Sequence, residues 1–184
     1  MSKFTIHNLE TVPAASKAML EQSNKAYGMV PNLHGVLAES PNTFEAYQVL
    51  HKLFSESSFN AEELTVVWQT INVEHGCTYC VPAHTAIAGM MNVDSALSDA
   101  LRNRAAMPTA KLQALHDTTL LMVRKRGMLS DAEMEAFFAA GYGQQQLLEI
   151  ILGLSQKVIS NYVNHIAHTP TDAPFQQFAW EDNK

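Results

Sequence analysis

The sequence is poor in charge and carries no long basic run. Charged residues make up 16% of its 184 residues, and the formal net charge is -6. An acidic chain has no electrostatic reason to bind nucleic acid or an anionic membrane surface. The nearest approach to a basic run is Arg124-Lys125-Arg126, and cations just before Gly127 suit the negatively polarised end of a helix. We therefore expect no nucleic-acid partner and no membrane partner.

Long apolar runs and cysteines are also scarce. No apolar stretch reaches the ~18 residues that a membrane-spanning helix needs, and the longest candidate, around Leu147–Leu154, is interrupted by Glu149. Residues 1–7 lack the apolar core of a secretion signal, so we expect a cytoplasmic protein. The two cysteines are three residues apart. In a reducing compartment this spacing favours a reactive dithiol, or part of a metal site, over a structural crosslink.

The apolar pattern is helical nearly throughout the chain. Phe44, Tyr47, Leu50 and Phe54, for example, recur at three- and four-residue steps. Capping residues, prolines and glycines divide the pattern into helices of about residues 13–27, 34–39, 42–55, 60–75, 80–91, 109–126 and 144–168, with further helices starting at 94 and 130. No alternating strand pattern and no linker is present, which favours a single all-α domain over 1–184. We expect the tail, 169–184, to dock on the body or on another subunit.

The segment Glu74–His84 carries the chemistry. Gly76 is suited to end one helix, and Pro82 fits only the first turn of the next. Cys77 and Cys80 should therefore lie in the turn that leads into a helix N-terminus. Unpaired backbone amides and the positive end of the helix dipole stabilise a thiolate at such a place.

The spacing of Cys80 and His84 predicts that they act together. His84 follows Cys80 by four residues, so the two side chains share a helix face one turn apart. An imidazole there can accept the thiol proton, and such settings lower a cysteine pKa from ~8.5 to between ~3.5 and ~7.5. We expect Cys80 to be the activated thiolate, His84 its base and Cys77 the second redox sulfur. Which cysteine meets the external disulfide partner stays open.

Two glutamates are candidates to orient His84. Glu63 lies at the start of a helix, where it completes a capping box with Asn60. Glu74 lies in a last helical turn, where a carboxylate faces the negative helix end at a cost of roughly 0.3–1 kcal/mol. Because a locally unfavourable placement beside a cysteine pair is typical of a functional group, we prefer Glu74. Tyr79 either donates within a proton relay or packs in the core.

The E-x-x-C-x-Y-C-x-x-x-H motif of residues 74–84, on an all-helical background, resembles the AhpD-like group of the carboxymuconolactone decarboxylase family. The resemblance is centred on about 42–103, and the stretch 28–32 is similar to the peroxidase-related members. It implies an all-α fold that assembles into trimers or hexamers. It also implies weak alkylhydroperoxidase activity without a cofactor, with reducing power from a lipoylated or thioredoxin-like dithiol protein. The decarboxylases of the family lack the cysteine pair, so decarboxylase activity is not implied.

The resemblance also implies roles for single residues. In such proteins the second cysteine, here Cys80, is activated by the histidine, here His84, and a glutamate. The first cysteine, here Cys77, forms the disulfide with it. The family's glutamate stands twelve residues before the first cysteine, which is the position of Thr65 here. Glu63 and Glu74 are the available substitutes, so the proton relay should use different residues. Pro82 is a second departure, because it could distort the turn that holds Cys80.

Two alternatives to a thiol peroxidase remain. One is a redox-sensing binding protein, whose disulfide changes an assembly or a partner surface without fast turnover. The other is a structural zinc site, because zinc usually has four ligands and the spacing of the cysteine pair and His84 is ligand-like. A fourth zinc ligand would come from Glu74, His75, His51 or another distant histidine.

Overall fold

The protein, in a computed structural model that describes residues 4–182, is built of helices joined by short turns, and this range contains no strand. The all-α prediction is confirmed. The first three residues of the expected non-signal N-terminus and the last two of the predicted tail lie outside the described residues. The helices are α1 (Lys17–Tyr27), α2 (Asn32–Leu37), α3 (Pro41–Ser55), α4 (Ala61–Glu74), α5 (Cys80–Met90), α6 (Ser95–Arg102), α7 (Ala110–Lys125), α8 (Asp131–Ala139) and α9 (Gln144–Ala167), with 3₁₀ turns at Ala14–Ser16 and Ala173–Phe178.

Side-chain caps set the helix starts where the sequence predicts them. The Asn60 side chain accepts from the Glu63 amide, and the Glu63 carboxylate accepts from the Asn60 amide. Ser130 and Glu133 form the same reciprocal pair, and Asp94 caps α6. Each such cap contributes typically about 1 kcal/mol to stability. These contacts explain why the predicted starts of α4, α6 and α8 are correct.

The core surrounds α4, which is buried along most of its length and packs against α5, α6, α7 and α9. A large apolar cluster lies around it and includes Phe54, Trp68, Ile71, Leu115 and Ile150. A smaller cluster lies between α1, α2 and α3 and includes Leu20, Leu33, Phe44 and Tyr47, together with Cys77, Tyr79 and Cys80. The cysteine turn therefore belongs to the smaller core and is shielded from bulk water.

The tail docks on the body of its own chain, which is one of the two predicted alternatives. Its 3₁₀ turn packs against α5. The Arg102 guanidinium donates to the carbonyl oxygens of Phe178 and Ala179 at 2.9 and 3.0 Å, and the Trp180 indole donates to the Arg102 carbonyl oxygen at 3.0 Å. Within residues 4–182, no helix is long and apolar enough to cross a membrane.

Candidate functional site

The end of α4 fixes the position of the first cysteine. Gly76 adopts the left-handed conformation, with φ +66°, as the sequence predicts. Its amide donates to the Val73 carbonyl oxygen at 3.2 Å, and the Cys77 amide donates to the Asn72 carbonyl oxygen at 3.0 Å. This pair of bonds is the Schellman arrangement that closes a helix C-terminus. It places Cys77 directly behind the last turn of α4.

The start of α5 fixes the second cysteine. Cys80 is the first residue of α5, and its amide donates to Cys77 Sγ at 3.2 Å. Pro82 lies in the first helical turn, where its missing N–H breaks no helical bond. The Val81 amide still donates to the Cys77 carbonyl oxygen at 3.0 Å, so the proline leaves the turn intact. Both thiols are free and nearly inaccessible, with Cys77 0% and Cys80 2% exposed.

Electrostatics divide the two sulfurs into a thiolate and a thiol. Burial raises the pKa of Cys80, but the hydrogen bond from the Cys77 thiol and the positive charge of Lys157 both lower it. The amide of Asn164, whose Nδ2 lies 3.2 Å from Cys80 Sγ, lowers it further, as does that of Asn161. The net effect lowers the pKa of Cys80 to about 6. The hydrogen bond to Cys80, and then burial, raise the pKa of Cys77, which keeps its proton.

His84 is bonded to a lysine. Lys157 Nζ, from the middle of α9, donates to His84 Nε2 at 2.8 Å, and both side chains are buried. Burial, and then the charge of Lys157, lower the pKa of His84 well below its usual value, so the imidazole is neutral. Burial lowers the pKa of Lys157 as well, and the sulfurs of Cys80 and Cys77 oppose that shift. The Nε2 lone pair that could accept a proton from Cys80 is therefore engaged by Lys157.

A chain of buried amides holds the cysteine turn between α4 and α9. Asn161 Nδ2 donates to Asn72 Oδ1 at 3.0 Å, and Asn72 Nδ2 donates to Gln69 Oε1 at 3.0 Å. Gln69 Nε2 then donates to the Val81 carbonyl oxygen at 3.1 Å. His75 Nδ1 donates to Asn161 Oδ1 at 2.8 Å. Because each donor and acceptor in this chain has a partner, the network fixes the turn without an unsatisfied polar group.

Tyr79 ties the tail to the site. Its hydroxyl donates to Asp172 Oδ2 at 2.5 Å and accepts from the Leu33 amide at 3.3 Å. Asp172 Oδ1 accepts from the Asn32 amide at 2.9 Å. Burial, and then the Asp172 carboxylate, raise the pKa of Tyr79 well above its usual value. The Tyr79 ring is part of the smaller core cluster, and its hydroxyl donates to a carboxylate of the tail, while its role in a proton relay stays a prediction.

The two candidate glutamates are engaged with cations on α7. The Glu74 carboxylate accepts from Arg124 Nε and Nη2 at 2.8 and 3.0 Å. Glu63 completes its capping box and pairs with Lys111 Nζ at 3.0 Å. Cys77 thus lies beside Cys80, which shares α5 and a cavity wall with His84, and the group bonded to His84 Nε2 is an amine and not a carboxylate.

A cavity of about 440 Å³ lies beside Cys80. Its walls are mostly apolar and aromatic, and the residues that line it include Tyr27, Met29, Leu33, Tyr47, Ile87 and Phe175. Lys157 and His84 also line it, as do His34 and His51. Burial lowers the pKa of His34 and of His51 to about 4, which keeps both rings neutral. Cys77 does not line this cavity, so a molecule bound there meets Cys80 first.

Lys157, Asn161, Asn164 and Asp172 are site residues that the sequence analysis missed. The first three stand at i, i+4 and i+7 of the longest helix and so form one polar stripe. All three are buried, at 1%, 0% and 4% exposure. A polar stripe on an otherwise apolar face is the signal that could have found them. Among residues 4–182, no group of three or more His, Cys, Asp or Glu side chains is arranged to hold a metal ion.

The overall architecture matches solved structures, although no protein-family model and no curated protein matches the sequence. A peroxidase-related protein from Ralstonia eutropha JMP134, described as an alkylhydroperoxidase AhpD core, is 20% identical, with a TM-score of 0.78 over 95% of this chain and 94% of that one. A peroxidase-related protein from Silicibacter sp. TM1040 is 20% identical, with a TM-score of 0.79 over 94% of each chain. The chain has the AhpD fold.

The AhpD fold also occurs in a protein with a different activity. The debrominase Bmp8, as a cysteine-to-alanine variant in complex with 2,3,4-tribromopyrrole, is 12% identical to this chain, with a TM-score of 0.75. The match covers 96% of this chain and 97% of that one. The AhpD fold therefore does not by itself decide an activity.

Proposed function

We propose that the chain is a thiol-dependent alkylhydroperoxidase, a disulfide-forming dithiol oxidoreductase that serves antioxidant defence. The observation that carries the proposal is the position of Cys80. Cys80, whose pKa is lowered to about 6, lines a cavity, and the Cys77 thiol is hydrogen-bonded to its sulfur. A thiolate is the nucleophile in such chemistry, and a neighbouring thiol is needed to resolve the oxidised product. We place the activity in the cytoplasm, where dithiol reductants keep such pairs reduced.

The proposed reaction has three steps. The Cys80 thiolate attacks the terminal oxygen of a hydroperoxide, the O–O bond breaks, and the alcohol leaves with one proton. Cys80 is then a sulfenic acid. Cys77 attacks its sulfur, and a disulfide forms as water leaves. A dithiol partner, lipoylated or thioredoxin-like, reduces the disulfide by thiol exchange and leaves oxidised.

The proposal assigns a role to each predicted site residue. Cys80 and Cys77 are the reacting groups, and His84 positions the amine of Lys157 by accepting its hydrogen bond. Tyr79 fixes the tail that forms part of the cavity wall. Glu74 and Glu63 hold α4 against α7 through Arg124 and Lys111, and the proton relay does not pass through them.

A thiol count tests the proposal most directly. Protein free of metal is alkylated and weighed by mass spectrometry before and after one equivalent of an organic hydroperoxide. We expect both thiols to disappear with a loss of two hydrogens, and dithiothreitol to restore them. Cys77→Ser should undergo one oxidation per site and stop, and Cys80→Ser should not turn over. Full turnover by Cys80→Ser, or two unreactive thiols in the native protein, would overturn the assignment.

The same samples separate the two alternatives from the sequence analysis. A redox sensor would be oxidised stoichiometrically, but it would consume no further peroxide when supplied with dihydrolipoamide or thioredoxin. A structural zinc site would appear as zinc bound to protein that was purified without a chelator. Either result would replace the enzymatic proposal with the corresponding alternative.

The aromatic walls of the cavity favour reductive dehalogenation as a second candidate. Bmp8, described as a debrominase, has the AhpD fold. A halogenated aromatic ring could be reduced by the same pair, since one thiolate and one thiol convert C–X to C–H, release halide and form a disulfide. Ion chromatography of bromide after incubation with tribromopyrrole and a dithiol tests this candidate. Bromide release without peroxide consumption would favour it over the peroxidase.

A further inference from the structure

Lys157 is a lysine whose side chain is buried in the core. It is 1% exposed, halfway along α9. Within residues 4–182 its amine makes one hydrogen bond, to the neutral His84 ring, and no carboxylate pairs with it. A buried ammonium without a counter-charge is strongly disfavoured. Something else must stabilise its charge while the site is reduced.

Over the described range 4–182, the surroundings of Lys157 contain one anion. Its neighbours on the other elements are neutral rings or sulfurs, and of these Cys80 alone is ionised at neutral pH. The titratable groups that act on Lys157 are His51, His75, Cys77, Cys80 and His84, and those that line its cavity further include Tyr27, His34, Tyr47 and Tyr79. The charge of Lys157 is therefore coupled to the charge of Cys80.

Oxidation of Cys80 removes this anion. A sulfenic acid or a disulfide carries no charge, so the ammonium of Lys157 loses its partner at the moment when a leaving oxygen needs a proton. Lys157, His84 and Cys80 line the same cavity, so one bound substrate can meet both Cys80 and Lys157. We propose that Lys157 is the proton donor to the leaving oxygen of the substrate and stays neutral until the disulfide is reduced. This inference rests on the proposed function.

The proton balance closes over one cycle. The Cys80 thiolate and the Lys157 ammonium convert a hydroperoxide to an alcohol, and they become a sulfenic acid and a neutral amine. The Cys77 thiol then attacks the sulfenic acid to form the disulfide, and its proton leaves with the hydroxyl group of the sulfenic acid as water. A dithiol supplies two electrons and two protons. One proton returns to Cys77 and one to Lys157, and Cys80 leaves as a thiolate.

His84 explains why the amine is able to give up its proton. A carboxylate at Nε2 would stabilise the ammonium in both redox states and hold the proton on Lys157. The neutral imidazole accepts the N–H bond at 2.8 Å without adding a negative charge. It fixes the direction of the amine and leaves its protonation dependent on Cys80. His84 is therefore a positioning residue, and Lys157 is the catalytic acid.

Proton counting on the native protein tests the inference without peroxide turnover. The protein is titrated between its dithiol and disulfide forms in thiol redox buffers, at pH values from 7 to 8. These lie above the pKa of Cys80, which is about 6. We expect two protons to be bound per two electrons, one at Cys77 and one at Lys157. One proton per two electrons would mean that Lys157 stays charged in the disulfide form, and it would overturn the inference. Two protons without hydroperoxide reduction would instead contradict the proposed function.

Variants separate the charge of Lys157 from its proton. Lys157→Arg keeps a positive charge but not a transferable proton. We expect it to leave the Cys80 thiolate absorbance near 240 nm unchanged at pH 7, and to slow single-turnover oxidation by about 100-fold or more, as loss of a general acid does. Lys111→Arg, at a surface lysine of α7, is the matched control. Equal rates for Lys157→Arg and the native protein would contradict the assignment, and the proton count stands if the variant does not fold.

Discussion

Among single residues, Cys80 owes its charge to neutral donors as well as to one cation. The amide of Asn164 is one of these donors, with its Nδ2 3.2 Å from the sulfur. Hydrogen bonds to charged groups contribute about 1.5–3 kcal/mol, and one unit of pKa corresponds to about 1.4 kcal/mol. Burial alone would keep this sulfur protonated, so loss of a single donor should be visible in its reactivity.

Asn164→Leu should therefore raise the pKa of Cys80 by about one unit or more. In the native protein, alkylation by iodoacetamide should become faster as the pH rises through about 6, because the thiolate forms there, and it should level off above that value. In the variant the same curve should move to higher pH. Ser160→Ala, a change on the same helix whose hydroxyl bonds only backbone oxygens, is the control. A curve for Asn164→Leu that coincides with the control would exclude the amide as a source of the low pKa.

Among the elements, the contact between α3 and α9 sets the position of Lys157. Gly153 lies one helical turn before Lys157, and a Cβ built at Gly153 would lie 2.8 Å from Cε2 of Phe54. Phe54 is fully buried in the large core cluster, so its ring has no room to move away. The missing side chain lets the two helices approach closely at this point.

Gly153→Ala should lower the free energy of unfolding by about 1–3 kcal/mol, because overpacking outweighs the better helix propensity of alanine. Gly89→Ala is the matched control, since Gly89 is exposed near the end of α5 and a Cβ there meets nothing within 4 Å. The control should be neutral or gain up to about 1 kcal/mol. Urea denaturation followed by circular dichroism measures both, and a Gly153→Ala protein as stable as the control would refute the close contact.

The helix ends and the cysteine turn follow from neighbours in the chain, and the rest of the site does not. Gly76, Pro82 and the Asn60–Glu63 box act over a few residues, so the sequence predicts them. The bond from Lys157 to His84 joins residues 73 positions apart, and the bond from Tyr79 to Asp172 joins residues 93 apart. Such contacts depend on how helices pack, which local patterns do not encode. Glu74 illustrates the limit, because its unfavourable local placement is explained by Arg124 on another helix.

At the scale of the whole molecule, exposed apolar side chains concentrate on two helices that pack together. Val49 and Leu53 lie on α3, and Leu148, Ile151 and Ile166 lie on α9. Large exposed apolar groups on one side of a molecule are typical of an interface. The trimer or hexamer that the family resemblance implies stays a prediction, and we expect its interface to lie on these two helices.

We therefore expect light scattering after size-exclusion chromatography to give three or six times the mass of one chain. Ile151→Lys should lower that mass, because a charge in an apolar interface is costly. Lys25→Glu, at an exposed residue of α1, is a charge-changing control away from these two helices that should leave the mass unaltered. A native protein that elutes as a single chain at micromolar concentration would refute the expected assembly.

The cavity wall at Pro174 and Phe175 is made by the last stretch of the chain. Asp172 fixes the start of this stretch to Tyr79 and Asn32, and Arg102 bonds the carbonyl oxygens of Phe178 and Ala179 at its end, so the wall is held at its two ends and not within the core. Changes to the tail beyond Asp172 can then reshape the mouth of the cavity and leave the cysteine turn as it is. In the proposed enzyme, changes in the tail can therefore alter which substrates fit the cavity without altering the cysteine turn. For the experimenter, an affinity tag is better attached at the other terminus.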